Sequence, residues 1–310
     1  MMPFNACSLS NYPRNPSLPI SMRLGAKLLW LGALLVSLCT SPALATERLI
    51  TAGGTLTDIV FALGEENRLL AIDDTSTSPD AAAQLPKIGY FRSLSTEGVL
   101  KFEPDTFWGI AGTGSDKTLQ QLKAIGVEVE IFPRPQSVEE FFSLLTDIGA
   151  RLGKSRSAEQ LIDALRRDIG QPKPQGPLSA LFVLQASERG IVAAGTNTVP
   201  AVLMNYNGLV NIASHEGFKP LSIEHIALNP PDFIVAPAHT VATAGGAEAF
   251  CNNPQMRLVP AANSCTLLVM DALLTLGMTT QLPKAINELG DFASQLVAPP
   301  NATAHDGGSD

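Results

Sequence analysis

Residues 94–105 read LSTEGVLKFEPD and residues 221–232 read LSIEHIALNPPD, so Leu, Ser, Glu, Pro and Asp recur at the same offsets in two distant places. Each copy predicts a helix turn capped by its serine and leading into an apolar run, DTFWGI in the first case and DFIVAP in the second. This repeat supports two similar lobes over one large sheet. A helix-to-strand joint is also common in α/β proteins, and for the serine, proline and aspartate a purely structural role is an equal reading. The matched acids Glu97 and Glu224 suggest more: one acid on each lobe makes a two-point docking surface.

Outward from the repeat, short apolar runs alternate with longer amphipathic ones, the pattern of an α/β protein with mainly parallel sheets. RLITAGG, LLAI, DTFWGI and VEVEIF read as strands before residue 135, and LSALFVL, DFIVAP and TLLVMD after residue 177. TLTDIVFALG places Leu56, Ile59, Val60 and Leu63 on one helix face, and DKTLQQLKAIG is a helix closed by Gly126. SVEEFFSLLTDIGARLG opens on a capping box, Ser137 with Glu140 three residues on. A second helix, SRSAEQLIDALRRDIG, stops before QPKPQGP, whose prolines break regular structure. TVPAVLMNYNG and PKAINELGDFASQLV are the helices of the second half.

Residues 1–45 differ from the rest. They contain no acid, and Met22 opens a short basic segment followed by LLWLGALLVSL and SPALA. A basic start, an apolar run of about a dozen residues and an A-x-A site predict a secretory signal peptide, cleaved after Ala45, with Met22 as the expected start. The run is short for a membrane span, which needs roughly 20 apolar residues. Cys39 follows Leu38, where lipid-attachment sites carry a small residue. Removing Arg14, Arg23 and Lys27 leaves 18 basic against 29 acidic residues, a net charge of −11, which disfavours a nucleic-acid partner. Of four cysteines only Cys251 and Cys265 remain, and in an oxidising compartment they are expected to pair.

Enzyme motifs are missing. TAGGTLTDIV lacks the G-x-G-x-x-G spacing and a P-loop lysine, and no G-x-S-x-G or H-E-x-x-H occurs. The four histidines, His215, His225, His239 and His305, have no metal-ligand spacing. KIGYFRSLS, residues 87–95, is different, because it sets Tyr90 two residues from Arg92. A cation beside a phenol favours the phenolate, a hard anionic oxygen suited to ferric iron. Tyrosine is also one of the proximal ligands of haem. Tyr206, on an amphipathic helix, reads as core.

These segments resemble the haem-binding periplasmic proteins of bacterial haem-uptake ABC transporters over nearly all of residues 47–296. GYFRSLS carries the resemblance most specifically, being similar to a G-Y-x-R-x-L-S segment whose tyrosine ligates haem iron and whose arginine hydrogen-bonds that tyrosine. The wider pattern is shared with siderophore and cobalamin binders of the same class. The resemblance implies two Rossmann-like α/β lobes joined by one long helix around Ser155–Ile169, with ferric haem b in the cleft between them. It also implies that Glu97 and Glu224 meet arginines of an inner-membrane permease, with an outer-membrane haem receptor system upstream. His239 follows DFIVAPA, where family members often carry an arginine. It faces the propionates, supplies a second iron ligand, or does neither.

The expected organisation is a signal peptide 1–45, a first lobe 46–153, a connecting helix and linker 154–175, a second lobe 176–298 and a tail 299–310. The expected function is non-enzymatic capture of haem in the periplasm. A ferric-siderophore or corrinoid binder on the same scaffold is the second reading, and an exported haem-handling enzyme the third.

Overall fold

The structure, a computed structural model, describes residues 48–169 and 178–297. The expected signal peptide with its cleavage after Ala45, the link QPKPQGP and the tail with His305 lie outside the described residues.

The first lobe runs β1 (Leu49–Ala52), α1 (Gly54–Ala62), β2 (Leu69–Ile72), α2 (Thr96–Leu100), β3 (Thr106–Ile110), α3 (Asp116–Ala124), β4 (Glu128–Phe132) and α4 (Val138–Arg151). Its four strands are parallel in the order β2-β1-β3-β4. The central strands β1 and β3 are buried along their whole length, which is why LITA and TFWGI are continuous apolar runs instead of alternating ones. β4 lies at the edge, and its Glu130 forms an ion pair with Arg151 of α4. The chain leaves β1 to one side and β3 to the other, so the switch point of the sheet lies between their carboxyl ends, the place where open α/β sheets bind ligands.

A 15-residue helix, α5 (Ser155–Ile169), follows, with Ala158, Leu165 and Ile169 buried. At 1.5 Å per residue it spans roughly 22 Å.

The second lobe contains β5 (Ser179–Ser187), β6 (Gly190–Ala194), α6 (Val199–Tyr206), β7 (Val210–Asn211), β8 (Phe218–Leu221), α7 (Ile223–Leu228) and β9 (Phe233–Pro237). It ends with α8 (Ala238–Thr243), α9 (Ala247–Cys251), α10 (Pro260–Asn263), β10 (Leu267–Met270), α11 (Ala272–Leu276) and α12 (Leu282–Val297). The strand order is β10-β9-β5-β6-β8, with β7 also on β5. β10, β9, β5 and β7 are parallel, whereas β6 joins β5 and β8 in antiparallel pairing. Cys251 and Cys265 are disulfide-bonded, as their spacing and compartment led us to expect.

The two halves of the repeat occupy equivalent places. Ser95 Oγ accepts the Gly98 amide at 3.0 Å, and Ser222 Oγ accepts the His225 amide at 3.2 Å, so each serine caps its helix. Val99 and Ile226, at matching offsets, are both fully buried. Asp105 Oδ2 accepts the Arg48 amide at 3.1 Å, just before β1, and Asp232 Oδ2 accepts the Ser179 amide at 2.7 Å, at the start of β5. Each aspartate therefore ties the strand it introduces to the central strand beside it.

Side-chain alternation splits the second sheet between two cores. Ala180, Phe182, Phe233 and Val235 point into an apolar cluster that continues through α5, α6 and α12 to β1 and β3 of the first lobe. Leu181, Val183, Ile234 and Ala236 point the other way, into a separate cluster under α8, α9 and α10. The lobes thus share a core. A second tie is polar: Asp58 of α1 accepts the Thr280 amide at 2.6 Å, and Gln281 Nε2 donates to Ser78 Oγ at 3.3 Å.

Candidate ligand-binding cleft

After β2 the chain turns back beside that strand. Ile72 N donates to Pro86 O, Ile88 N to Ile72 O and Asp74 N to Gly89 O, each at 3.0 Å. Ile88 is buried, and Gly89 takes φ 94°, a left-handed value that favours glycine. A 3-10 turn, Phe91–Ser93, follows, closed by Ser93 N on Tyr90 O at 2.9 Å. Phe91 and Leu94 are buried, and Phe91 O accepts Gly114 N of the turn after β3 at 2.8 Å. With its neighbours pinned on both sides, Tyr90 remains 45% exposed. The fold presents this phenol on a fixed turn near the carboxyl ends of the strands.

Phe91 also organises the charge. Tyr90 meets its ring edge-on at 5.1 Å between centroids, and the Arg92 guanidinium carbon lies 5.0 Å from the same centroid. Among the described residues no hydrogen bond joins Arg92 to Tyr90; the two share Phe91 as an aromatic neighbour.

The structure adds a residue that sequence reading missed. Arg134, just past β4 in FPRPQ, is half-buried and donates from Nη2 to Ala111 O at 3.3 Å. Burial, then the like charge of Arg92, pulls its guanidinium below the ordinary arginine range, while Tyr90 acts in the opposite sense. The site therefore brings together Tyr90, Arg92 and Arg134. A signal was present in the sequence: a cation at the carboxyl end of a parallel strand.

Two residues further on, Gln136 borders a cavity of about 510 Å³ whose other walls come from the second lobe, including Thr196, Asn197, Thr198, Asn205 and Asn211. This wall mixes these polar side chains with Val202, Leu209 and Val210 and carries no charge. His239 lies at the start of α8, exposed, with Nε2 3.4 Å from the Thr240 hydroxyl. Thr240 Oγ1 in turn donates to Leu184 O of β5 at 2.8 Å, and His239 stands just past the carboxyl end of β9, where it was expected. Among the described residues no direct contact links it to Tyr90, Arg92 or Arg134.

His215 and His225 are held by backbone, their Nε2 atoms 3.1 Å from Ala193 O and 2.7 Å from Ile212 O. Tyr206 packs against the shared core, and burial pushes its phenol up, with Glu139 acting the same way. The turn after β1 cannot serve an external phosphate with its Gly53 amide, because Asp73 Oδ1 already accepts it at 2.9 Å. Glu97 and Glu224 are exposed on the first turns of α2 and α7.

Two α/β lobes sharing a core and joined by one long helix define the two-lobe fold of a solute-binding protein. A model of the periplasmic binding protein family matches residues 49–274, and the chain belongs to that family. Among solved structures, the periplasmic heme-binding protein BhuT in complex with two hemes is 31% identical, covering 81% of this chain and 99% of its own, with a TM-score of 0.74. A periplasmic heme-binding protein from Pseudomonas aeruginosa is also 31% identical, covering 83% of this chain and 95% of its own, with a TM-score of 0.69. A vitamin B12-binding protein of Yersinia pestis (strain Pestoides F) is 24% identical over 206 residues, 65% of this chain and 73% of that one.

Proposed function

We propose that this chain captures ferric haem in the cleft and delivers it to an inner-membrane ABC permease. One observation carries the reading: an exposed phenol, Tyr90, on a pinned turn beside two cations, Arg92 and Arg134. Tyr90 would bind the iron through its oxygen, Arg92 would stand beside it as a cation, and His239 would meet the haem from the second lobe. A single oxygen ligand on an accessible turn is strong enough to capture haem and weak enough to release it. The likeness to heme-binding relatives at 31% identity supports this choice. Glu97 and Glu224, equivalently placed on the two lobes, would dock the permease. Export to the periplasm would follow from the expected signal peptide.

The vitamin B12-binding relative supports a corrinoid as the second reading. Titration of the mature protein with hemin separates the two. The expected result is a Soret band with the charge-transfer feature of high-spin, tyrosinate-ligated ferric haem, lost or shifted in Tyr90→Phe. An unchanged spectrum and affinity in Tyr90→Phe would remove Tyr90 as the ligand. No response to hemin, with tryptophan quenching by cyanocobalamin, would select the corrinoid reading.

A further inference from the structure

The turn after β3 collects two cations from different strand exits. Arg134, beyond β4, donates to Ala111 O at 3.3 Å. Arg92, beyond the strand-like segment next to β2, brings Nη1 to 3.4 Å from where a Cβ on Gly112 would stand. Ala111 and Gly112 are consecutive, so both guanidiniums converge on one peptide. Gly112 takes φ 88°, and a side chain there would be strained as well as pressed against Arg92. Among the described residues, neither arginine forms an ion pair, although arginines elsewhere in the fold do so with Glu65, Glu130 and Glu139.

Two like charges held together, one of them half-buried, are unfavourable in the empty protein. They become favourable when an anion bridges them, and a guanidinium fork matches a carboxylate with two parallel hydrogen bonds. Accepting the haem reading of this cleft, on which this step rests, we infer that Arg134 together with Arg92 clamps a ligand carboxylate and thereby selects a carboxylate-bearing tetrapyrrole over an amide-bearing one. The propionates of haem are ionised at neutral pH, whereas the peripheral side chains of a corrinoid are neutral amides. The cavity that begins two residues past Arg134, at Gln136, has no charged side chain in its lining. Arg134 is a specificity-determining residue in this scheme, and Tyr90 remains the iron ligand.

The test compares hemin with hemin dimethyl ester in one detergent buffer, using wild type, Arg134→Gln and Arg134→Lys. Wild type should prefer the free acid by about tenfold or more, the value of one charge-assisted hydrogen-bond pair. Arg134→Gln should lose most of that preference, its affinity for the free acid falling far more than its affinity for the ester, and Arg134→Lys should regain part of it. Equal binding of acid and ester by wild type overturns the clamp without any variant. Equal loss for both ligands in Arg134→Gln also overturns it, because it assigns Arg134 to holding the Ala111 turn. Absence of any Soret change in wild type removes the haem reading itself, and the clamp with it.

Discussion

Arg92 lies over the face of Phe91, its guanidinium carbon 5.0 Å from the ring centroid, while Tyr90 abuts the same ring edge-on. The aromatic between them, not a direct bond, sets their relative position. Phe91 is buried, so Phe91→Ala should cost about 3–5 kcal/mol of stability and is a poor probe of the site. Phe91→Leu keeps the core filled and removes the ring that both Tyr90 and Arg92 touch. We expect it to weaken hemin binding by about two- to fivefold, the range of an exposed cation–π contact. Soret titration of the folded variant checks this, and unchanged affinity would mean that Arg92 is aimed by something else.

Glu97 and Glu224 sit in the first turns of equivalent helices and are exposed. Reversing their charge should reduce permease-dependent uptake and leave hemin affinity untouched. Each Glu→Lys change also opposes a helix N-terminus, which costs up to about 1 kcal/mol. Uptake by vesicles containing the permease, compared with hemin titration of the same variants, separates docking from binding. Normal uptake by the double variant would sink the docking role.

The site was partly legible in the sequence because part of it is local. Tyr90 and Arg92 share one turn, and the repeat revealed both capped helices with their acids. His239 could be placed because strand ends follow from the apolar run before it. Arg134 was not singled out because its meeting with Arg92 depends on β3 and β4 lying side by side, a pairing that spacing does not reveal. The antiparallel flank of the second lobe escaped for a similar reason. GIVAA and FKPL are short, and their pairing is decided by the turn at Gly190 and by partners distant in sequence.

The repeat's aspartates should differ in weight although their places match. Among the described residues, Asp105 Oδ2 accepts one bond, from the Arg48 amide, whereas Asp232 Oδ2 accepts both the amide and the hydroxyl of Ser179, at 2.7 and 2.8 Å. Hydrogen bonds to a charged group contribute roughly 1.5–3 kcal/mol, less where solvent competes, as at these exposed carboxylates. Urea unfolding should therefore show Asp232→Ala to be more destabilising than Asp105→Ala, each by no more than about 3 kcal/mol. The reverse order would mean that the strand ties do not carry the effect.

The tie between Asp58 and the Thr280 amide gives a pH signature. Burial raises the Asp58 pKa above its ordinary 3.8, against the opposing hydrogen bonds from Thr280 and Ser78. A raised folded pKa means that the native state holds this proton where the unfolded chain has lost it. Its contribution to stability is therefore complete below the unfolded value and is lost as pH rises through the folded value. Asp58→Asn keeps an oxygen for the Thr280 amide but does not titrate. The stability of wild type relative to Asp58→Asn should fall as pH rises from about 4, with a slope of at most about 1.4 kcal/mol per pH unit, and then level off. Urea unfolding of both proteins across this range measures the difference directly. A wild-type advantage that grows with pH would show instead that the ionised carboxylate, bonded to Thr280, is the favoured form at this junction.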